Sequence, residues 1–524
     1  MRVVLALLLA SVLAATTAAA QQQGLTAAPQ IARLYGAIFD ARFDEVPAIA
    51  AQTCPPAPRE VCQLLDVVSR WWQIQLDPNN TSADAEFEAR ADAAVDAVIA
   101  WTEREPTRAE AWFYLGGAYG ARAQWRVLRG QRLAAARDGK RIKDALDQAL
   151  RLDPSLQDAW FGIGLYHYYA DVAPTAAKIL RFLLLLPGGD RVEGLQEMLR
   201  ARNDGQILRD EADYQLQVIY LWYEKDPQHA LDLLHDLRDR HPRNPIFRQS
   251  IADVEDVYMH DLTASLRSWQ ELLDAARAGE VAAAAIAETR ARLGVALQLD
   301  RLYESDAALE PLRAVIAARP AAPFEAVAQA QLQLGQALDR LGSRGDAEAA
   351  YRAAIAAAPE ADPLKVVDQA RQGLRTKPNP EGALAYRLSI EGWRALQRRA
   401  LADAARALTR SLDLRPNDQV TRYRQARLLV AEKKDDAALT IYDGIARERA
   451  ATPPVFYANA CVDAARLYEQ RHEQARAIDL YTLARTTFGA DQRTKDEAQR
   501  ALARLTSPPR DARVVGGRPV ARPR

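Results

Sequence analysis

Small and apolar residues recur along this chain with one spacing, and a proline closes the pattern in two of its copies. Four segments share it: Ala347, Tyr351, Ala354, Pro359; Ala404, Leu408, Ser411, Pro416; Ala438, Tyr442, Ile445; and Ala477, Tyr481, Ala484. Small residues at these positions let two antiparallel helices approach closely, the larger residue fills the space to the next pair, and proline ends the second helix. The spacing therefore predicts stacked helical hairpins.

The rest of the chain follows the same helical period. Apolar residues recur at i, i+3, i+4 and i+7, Pro or Gly interrupts every 12–20 residues, and the strict alternation of a strand is almost absent. A composition of 49% hydrophobic and 26% charged residues is typical of a soluble folded protein. We therefore predict an all-α fold.

The hairpins also carry longer signatures. First helices show Trp112, Leu115, Gly116 and Tyr119, then Trp160, Gly164 and Tyr166; second helices end as Ala149 to Pro154, Ala230 to Pro242 and Leu312 to Pro320. These positions resemble the tetratricopeptide repeat (TPR) family. The resemblance implies roughly ten helical hairpins over 28–489, stacked as a right-handed superhelical solenoid with a concave face and with irregular hairpins at its N-terminal end.

Breaks in the pattern divide the chain. Trp160 follows Trp112 by 48 residues, and the extra length over one repeat predicts an elongated hairpin at 109–154 with a basic insertion over 122–143. Prolines interrupt the array at 361–384, which we interpret as an irregular connector. It separates an aromatic-rich N-terminal array, 21–360, from a C-terminal array, 385–506. The basic tail 507–524 is rich in Pro and Gly and is predicted to be disordered.

The first twenty residues have the form of a cleavable signal peptide. Arg2 precedes an uncharged apolar run, and Ala18, Ala19 and Ala20 supply the small residues of a cleavage site near Ala20. We expect a periplasmic or secreted protein of a bacterial envelope. Cys54 and Cys62 flank a proline-rich connection, where a disulfide is plausible in an oxidising compartment; two unrelated small residues are the alternative.

The sequence offers no catalytic constellation. His229, His235 and His241 are six residues apart, a spacing that disperses them around a helix. The repeats leave no remainder large enough for a catalytic domain. We therefore expect no enzyme activity, no catalytic residues, no metal site and no cofactor. A formal net charge of zero gives no general argument for nucleic-acid binding.

The resemblance further implies a ligand groove lined by one stripe of each first helix. Carried onto this sequence, that stripe is aromatic in the N-terminal half and more polar in the C-terminal half. The candidate binding residues are Phe113, Phe161, Tyr168, Tyr169, Trp222, Tyr223, Trp393, Arg427 and Arg466. Aromatic side chains with a polar group favour peptide recognition, although stacked hairpins bury aromatics as well, and an inserted helix could fill the groove.

These expectations combine into one hypothesis and two alternatives. The first is an exported, non-enzymatic scaffold that binds a segment of a partner protein in the concave face, without nucleic acid or stable membrane insertion, although peripheral contact with the envelope is possible. The second is a carbohydrate- or lipid-binding envelope module that uses the same aromatic groove. The third is a hydrolase with an unrecognised site.

Overall fold

A computed structural model describes residues 24–173 and 188–506. The predicted signal peptide 1–20, the tail 507–524 and the apolar run from Ile179 to Leu186 lie outside these residues. The described helices are α1 Ala28–Phe39, α2 Val46–Thr53, α3 Arg59–Leu76, α4 Asp84–Arg104, α5 Ala109–Leu128, α6 Arg132–Leu152, α7 Ala159–Val172, α8 Arg191–Asp204, α9 Arg209–Ile219, α10 Pro227–Arg240, α11 Pro245–Val257, α12 Leu262–Arg277, α13 Ala284–Arg301, α14 Ser305–Ala318, α15 Ala326–Arg340, α16 Arg344–Ala357, α17 Val366–Arg375, α18 Pro380–Gln397, α19 Leu401–Leu414, α20 Gln419–Ala431, α21 Asp435–Arg447, α22 Pro454–Gln470, α23 Gln474–Arg485 and α24 Gln492–Thr506.

The all-α prediction is confirmed, because the described part of the chain contains helices and no strand. Successive helices pair as hairpins from α3 to α16 and again from α18 to α23, and the shorter α1 and α2 precede them. The connector predicted at 361–384 contains α17 and the first turn of α18. In α17, Gly373 brings the backbone against the Tyr351 ring of α16, so the array continues through this segment.

Distant parts of the array also touch one another. Phe324 donates its backbone N–H to Asp77, which also pairs with Arg290. Gln492 donates its backbone N–H to Asp261 across 231 residues of sequence. These contacts join segments that lie several hairpins apart, so the solenoid curls tightly enough for its successive parts to pack together.

The elongated hairpin is formed by α5 and α6, which are 20 and 21 residues long. Four arginines of its basic insertion pair with carboxylates of the fold. Asp138 is fully buried and accepts hydrogen bonds from Arg122, Arg126 and Arg141. Arg129 pairs with Asp84 of the preceding helix. These ion pairs therefore hold α5 against α4 and α6.

The structure joins Cys54 and Cys62 in a disulfide that closes the turn between α2 and α3. Replacing both cysteines by serine is expected to lower the free energy of unfolding by about 2–3 kcal/mol, because the crosslink restricts the unfolded chain. Urea denaturation with and without a reductant measures this effect. Equal stability of the oxidised and reduced wild-type protein would contradict the prediction.

Glu255 on α11 gives the stability a pH dependence. Burial, together with Asp261 and Glu271, raises the pKa of Glu255 to about 7, although the Ser268 hydroxyl and Arg267 lower it. A carboxyl with a raised folded pKa binds a proton more readily in the folded chain, so its contribution is present at low pH and is lost as the pH rises through about 7. We expect a higher Tm at about pH 5.5 than at about pH 8. The difference should shrink in Glu255→Gln, and an unchanged difference would contradict this assignment.

Candidate functional site

Helix α1 lies along the inner face of the N-terminal hairpins. Just before it, Thr26 donates both its backbone N–H and its hydroxyl to Glu110 of α5. In its middle, the Tyr35 hydroxyl donates to Glu211 of α9. At its end, the carbonyl of Phe39 accepts a hydrogen bond from Asn244. These contacts reach the first helices α5 and α9 and the start of α11, so α1 occupies the position that a groove ligand would take.

The fit of α1 is mainly apolar. Ile31, Leu34, Ile38 and Phe39 are fully buried. The ring of Phe39 lies 4.6 Å from Trp72 of α3, and it also contacts His241 and Phe247. Pro29 and Arg33 remain exposed on the opposite side, so the array covers the apolar face of α1.

Glu211 is the polar centre of this face. It accepts hydrogen bonds from Tyr35, Gln124 and Gln215, which come from α1, α5 and α9. Burial raises the pKa of Glu211, while its three hydrogen-bond donors lower it. The same carboxyl and burial raise the pKa of Tyr35. Glu211 therefore ties the inserted helix to two first helices.

This packing changes the expectation of an open aromatic groove in the N-terminal half. Phe113 is buried in the same core as α1 and contacts the Tyr114 ring. Phe161 is buried with Tyr168 and Met198 in the adjoining core. Both side chains lie on the predicted stripe, but the chain's own helices cover them.

The remaining N-terminal candidates meet at the end of α7. Tyr168, Tyr169 and Tyr223 contact one another edge to face, with ring centroids 5.6–5.9 Å apart. Tyr168 is buried, and its hydroxyl donates to Glu224. Burial and this carboxylate raise the pKa of Tyr168. A turn of π-helix at 220–224 follows α9, and there Trp222 is 62% exposed.

The C-terminal candidates Arg427 and Arg466 converge on the Asp463 carboxylate, and Arg466 also donates to Glu497 of α24. Both donate to Asp463 of α22, at 3.2 and 3.1 Å. The hydroxyls of Tyr423 and Tyr442 point to the same aspartate. The arginine side chains remain 43% and 48% exposed. Asp463 thus orients two guanidinium groups on the inner face formed by α20 and α22.

The charge state of this cluster is well defined. Burial disfavours the charged form of Arg427, but the Asp463 carboxylate and the hydrogen bond to the Tyr423 hydroxyl outweigh it and hold the pKa of Arg427 above its ordinary value. Burial and the Asp463 carboxylate raise the pKa of both Tyr423 and Tyr442. Both phenols therefore remain neutral at physiological pH, and both arginines remain charged.

Trp393 marks the other end of the C-terminal inner face. It is half-buried, and the Arg424 guanidinium lies 5.8 Å from its ring centroid. Arg424 is buried and donates to Ser389 and to the carbonyl of Tyr303. Burial lowers the pKa of Arg424. Trp393 therefore supports a buried arginine and offers a partner only part of its surface.

The small and large residues of the repeat meet within one hairpin, whereas the spacing predicted that the large residue packs against the next pair. A Cβ on Gly116 would lie 2.7 Å from Leu146, one on Gly335 would lie 2.6 Å from Tyr351, and one on Gly392 would lie 2.5 Å from Leu408. Each first-helix glycine thus receives the large residue of its own second helix. The described helices therefore have a TPR-like repeat fold.

Two solved structures are similar to this TPR-like chain. A tetratricopeptide repeat protein from Parabacteroides merdae ATCC 43184 is 15% identical, with 57% of this chain and 99% of that chain covered and a TM-score of 0.24. The human IFIT1 dimer with m7Gppp-AAAA is 13% identical, with 75% of this chain and 81% of that chain covered and a TM-score of 0.24. No family model and no curated protein matches the chain.

Three features of the site have partners that are distant in sequence. Glu211 and Asp463 each accept hydrogen bonds from several helices. In the sequence, neither residue differs from the many acidic residues that face solvent on a helix. A third group, His167 with Glu193 and Glu197, has the donor atoms of a metal site and joins two helices. Because the three residues come from two helices, their spacing in the sequence does not predict this group.

Proposed function

We propose that this TPR-like protein is a non-enzymatic interaction scaffold that binds an acidic segment of a partner protein along the inner face of α18–α24. The observation that carries the proposal is the pair of exposed arginines, Arg427 and Arg466, held by the shared Asp463. Arginine forms bidentate hydrogen bonds with carboxylates and is enriched at interface hot spots.

The distribution of charge supports an acidic partner. Residues 385–506 contain 22 Lys and Arg against 16 Asp and Glu, a net charge of +6. Residues 21–384 have a net charge of −11. An acidic segment would be attracted to the C-terminal array and repelled by the N-terminal one, which favours a single docking site.

The position of α1 supports the choice of the C-terminal half. In the N-terminal half, α1 already buries its apolar side chains against the first helices. It also shows that the inner face of this array accepts a helix of the chain itself. In the C-terminal half, Tyr303 and Asp306 pack against α18 and α20. A partner segment would dock beside this contact, where Arg427 and Arg466 are exposed.

The proposal includes export of the protein. The charged start, apolar run and small residues of 1–20 support a signal peptide. The disulfide between Cys54 and Cys62 suits an oxidising compartment. Among the described helices, none combines the length and apolar character that crossing a bilayer requires.

A charge-reversal pair tests the docking surface. We compare Arg427→Glu/Arg466→Glu with Arg406→Glu/Arg410→Glu, which changes the net charge equally on exposed positions of the second helix α19. Crosslinked pull-down from envelope extract is expected to recover a partner with wild type and the α19 control, and to lose it with the inner-face variant. Retention of the same partner by the inner-face variant would contradict the proposed surface.

The exposed Trp222 favours a second candidate function, carbohydrate binding. An indole that is 62% exposed beside the half-exposed Tyr223 could stack on a sugar ring. Glycan-array binding by wild type that is lost in Trp222→Ala would support this function. Replacement of Trp222 should leave the fold intact, whereas replacement of the buried Tyr168 would disturb it.

A further inference from the structure

Helices α7 and α8 cross at two glycines. A Cβ on Gly164 would lie 2.6 Å from the carbonyl oxygen of Gly194, and a Cβ on Gly194 would lie 2.6 Å from the carbonyl oxygen of Gly164. Only glycine permits so close an approach, because the contacting atoms belong to the backbone and cannot turn away. The crossing fixes α7 and α8 at the shortest separation that their backbones allow.

Three side chains with metal-binding atoms meet beside this crossing. His167 lies one turn after Gly164 on α7, while Glu193 and Glu197 lie on one face of α8, on either side of Gly194. Their ligand atoms all lie within 4.8 Å of one another. Nδ1 of His167 is 2.8 Å from Oε2 of Glu197. The fixed crossing therefore holds one imidazole against two carboxylates.

We propose that His167, Glu193 and Glu197 form a binding site for a divalent transition-metal ion, with Zn²⁺ as the best fit. One nitrogen and two carboxylate oxygens are common zinc ligands. Ligand atoms around a tetrahedral zinc are about 3.3 Å apart. Side-chain rotations that move these three atoms by roughly one ångström would bring them to that separation. The imidazole favours zinc over magnesium or calcium, which prefer all-oxygen sites.

The burial of the three ligands suits a partly open site. Glu197 is buried and His167 is nearly so, while Glu193 is exposed. The buried pair is in place before a metal arrives, and Glu193 can swing in from the solvent side. Water can complete the coordination there. The nearby Lys143 pairs with Asp147. A bound ion would replace the hydrogen bond between His167 and Glu197.

A bound ion would join α7 to α8 in addition to the glycine crossing. Binding should therefore raise the Tm, because the ion adds free energy only to the folded chain. Affinity should fall in acid, because metal ligands must lose their protons.

Isothermal titration calorimetry of the metal-free chain with ZnCl₂, MnCl₂ and MgCl₂ tests the site. We expect about one Zn²⁺ per chain, tighter binding of zinc than of the other ions, and a rise in Tm on zinc addition. Glu193→Gln is the decisive variant, because its exposed side chain can change without disturbing the His167–Glu197 pair. It should weaken zinc binding at least about tenfold, as should His167→Ala.

His472→Ala removes an exposed imidazole far from the crossing and serves as the matched control. It should bind zinc as wild type does. Equal zinc affinity of wild type and Glu193→Gln, in chains with unchanged circular dichroism, would overturn the proposal. So would the absence of zinc binding by wild type, or its loss in His472→Ala alone.

Discussion

Replacing Phe39 by alanine is expected to lower the free energy of unfolding of the N-terminal array by about 3–5 kcal/mol. Phe39 is fully buried at the end of α1, and its ring packs against Trp72, His241 and Phe247. Removing the ring leaves a cavity between α1 and three other elements. The rigid first helices cannot close it, because each is held by its own hairpin.

Urea denaturation followed by tryptophan fluorescence measures this effect close to its origin, because Trp72 lies 4.6 Å from the Phe39 ring. The control is Phe488→Ala, which removes the same side chain from a position that is 61% exposed. We expect that change to cost less than about 1 kcal/mol. Equal losses in the two variants would mean that α1 is not fixed in the groove.

Replacing Asp138 by alanine is also expected to have a large effect and to lower the free energy of unfolding by about 3–5 kcal/mol. Asp138 is fully buried and accepts hydrogen bonds from Arg122, Arg126 and Arg141. Without it, the largely buried Arg122 keeps only the exposed Asp92 as an acidic partner. A buried charge without adequate compensation is strongly destabilising.

The matched control lies on the same helix. Asp144 is exposed and pairs with Lys140 one turn away, so Asp144→Ala should change the stability by less than about 0.5 kcal/mol. Thermal unfolding of both variants in the same buffer separates a buried anchor from a surface pair. A small loss in Asp138→Ala would show that the basic insertion does not depend on this aspartate.

The hairpin architecture could be predicted because its signals are local. Tyr351 and Gly335 lie sixteen residues apart, and each belongs to a pattern that repeats along the chain. The spacing predicts which residues lie between paired helices, and this is enough to predict the fold class. The pairing of Cys54 with Cys62 rests on eight residues of separation and could be suggested in the same way.

The filling of the groove could not be predicted, because it depends on distant residues. The hydroxyl of Tyr35 meets Glu211 across 176 residues, and Asn244 meets Phe39 across 205. The signal that the sequence does contain is the apolar face of α1, formed by Ile31, Leu34 and Ile38 at helical spacing. Such a face indicates burial but does not identify the surface that covers it.

The C-terminal candidates show an intermediate case. The stripe placed Arg427 and Arg466 on successive first helices, and the structure brings both onto the inner face. Asp463, which holds them together, is 36 residues from Arg427 and resembles any acidic residue on a helix surface. Periodicity thus identifies a face, whereas the partners within that face require the three-dimensional contacts.

Site-specific photocrosslinking tests most directly whether the C-terminal inner face is the docking surface. A photoreactive residue at Gln470, an exposed position one turn beyond Arg466, is compared with one at Arg406 on the second helix α19 and one at Arg33 on the exposed side of α1. We predict that irradiation in envelope extract attaches a partner protein at position 470 and leaves positions 406 and 33 free. Attachment of the partner at position 33 or 406, with none at 470, would contradict the proposed scaffold surface.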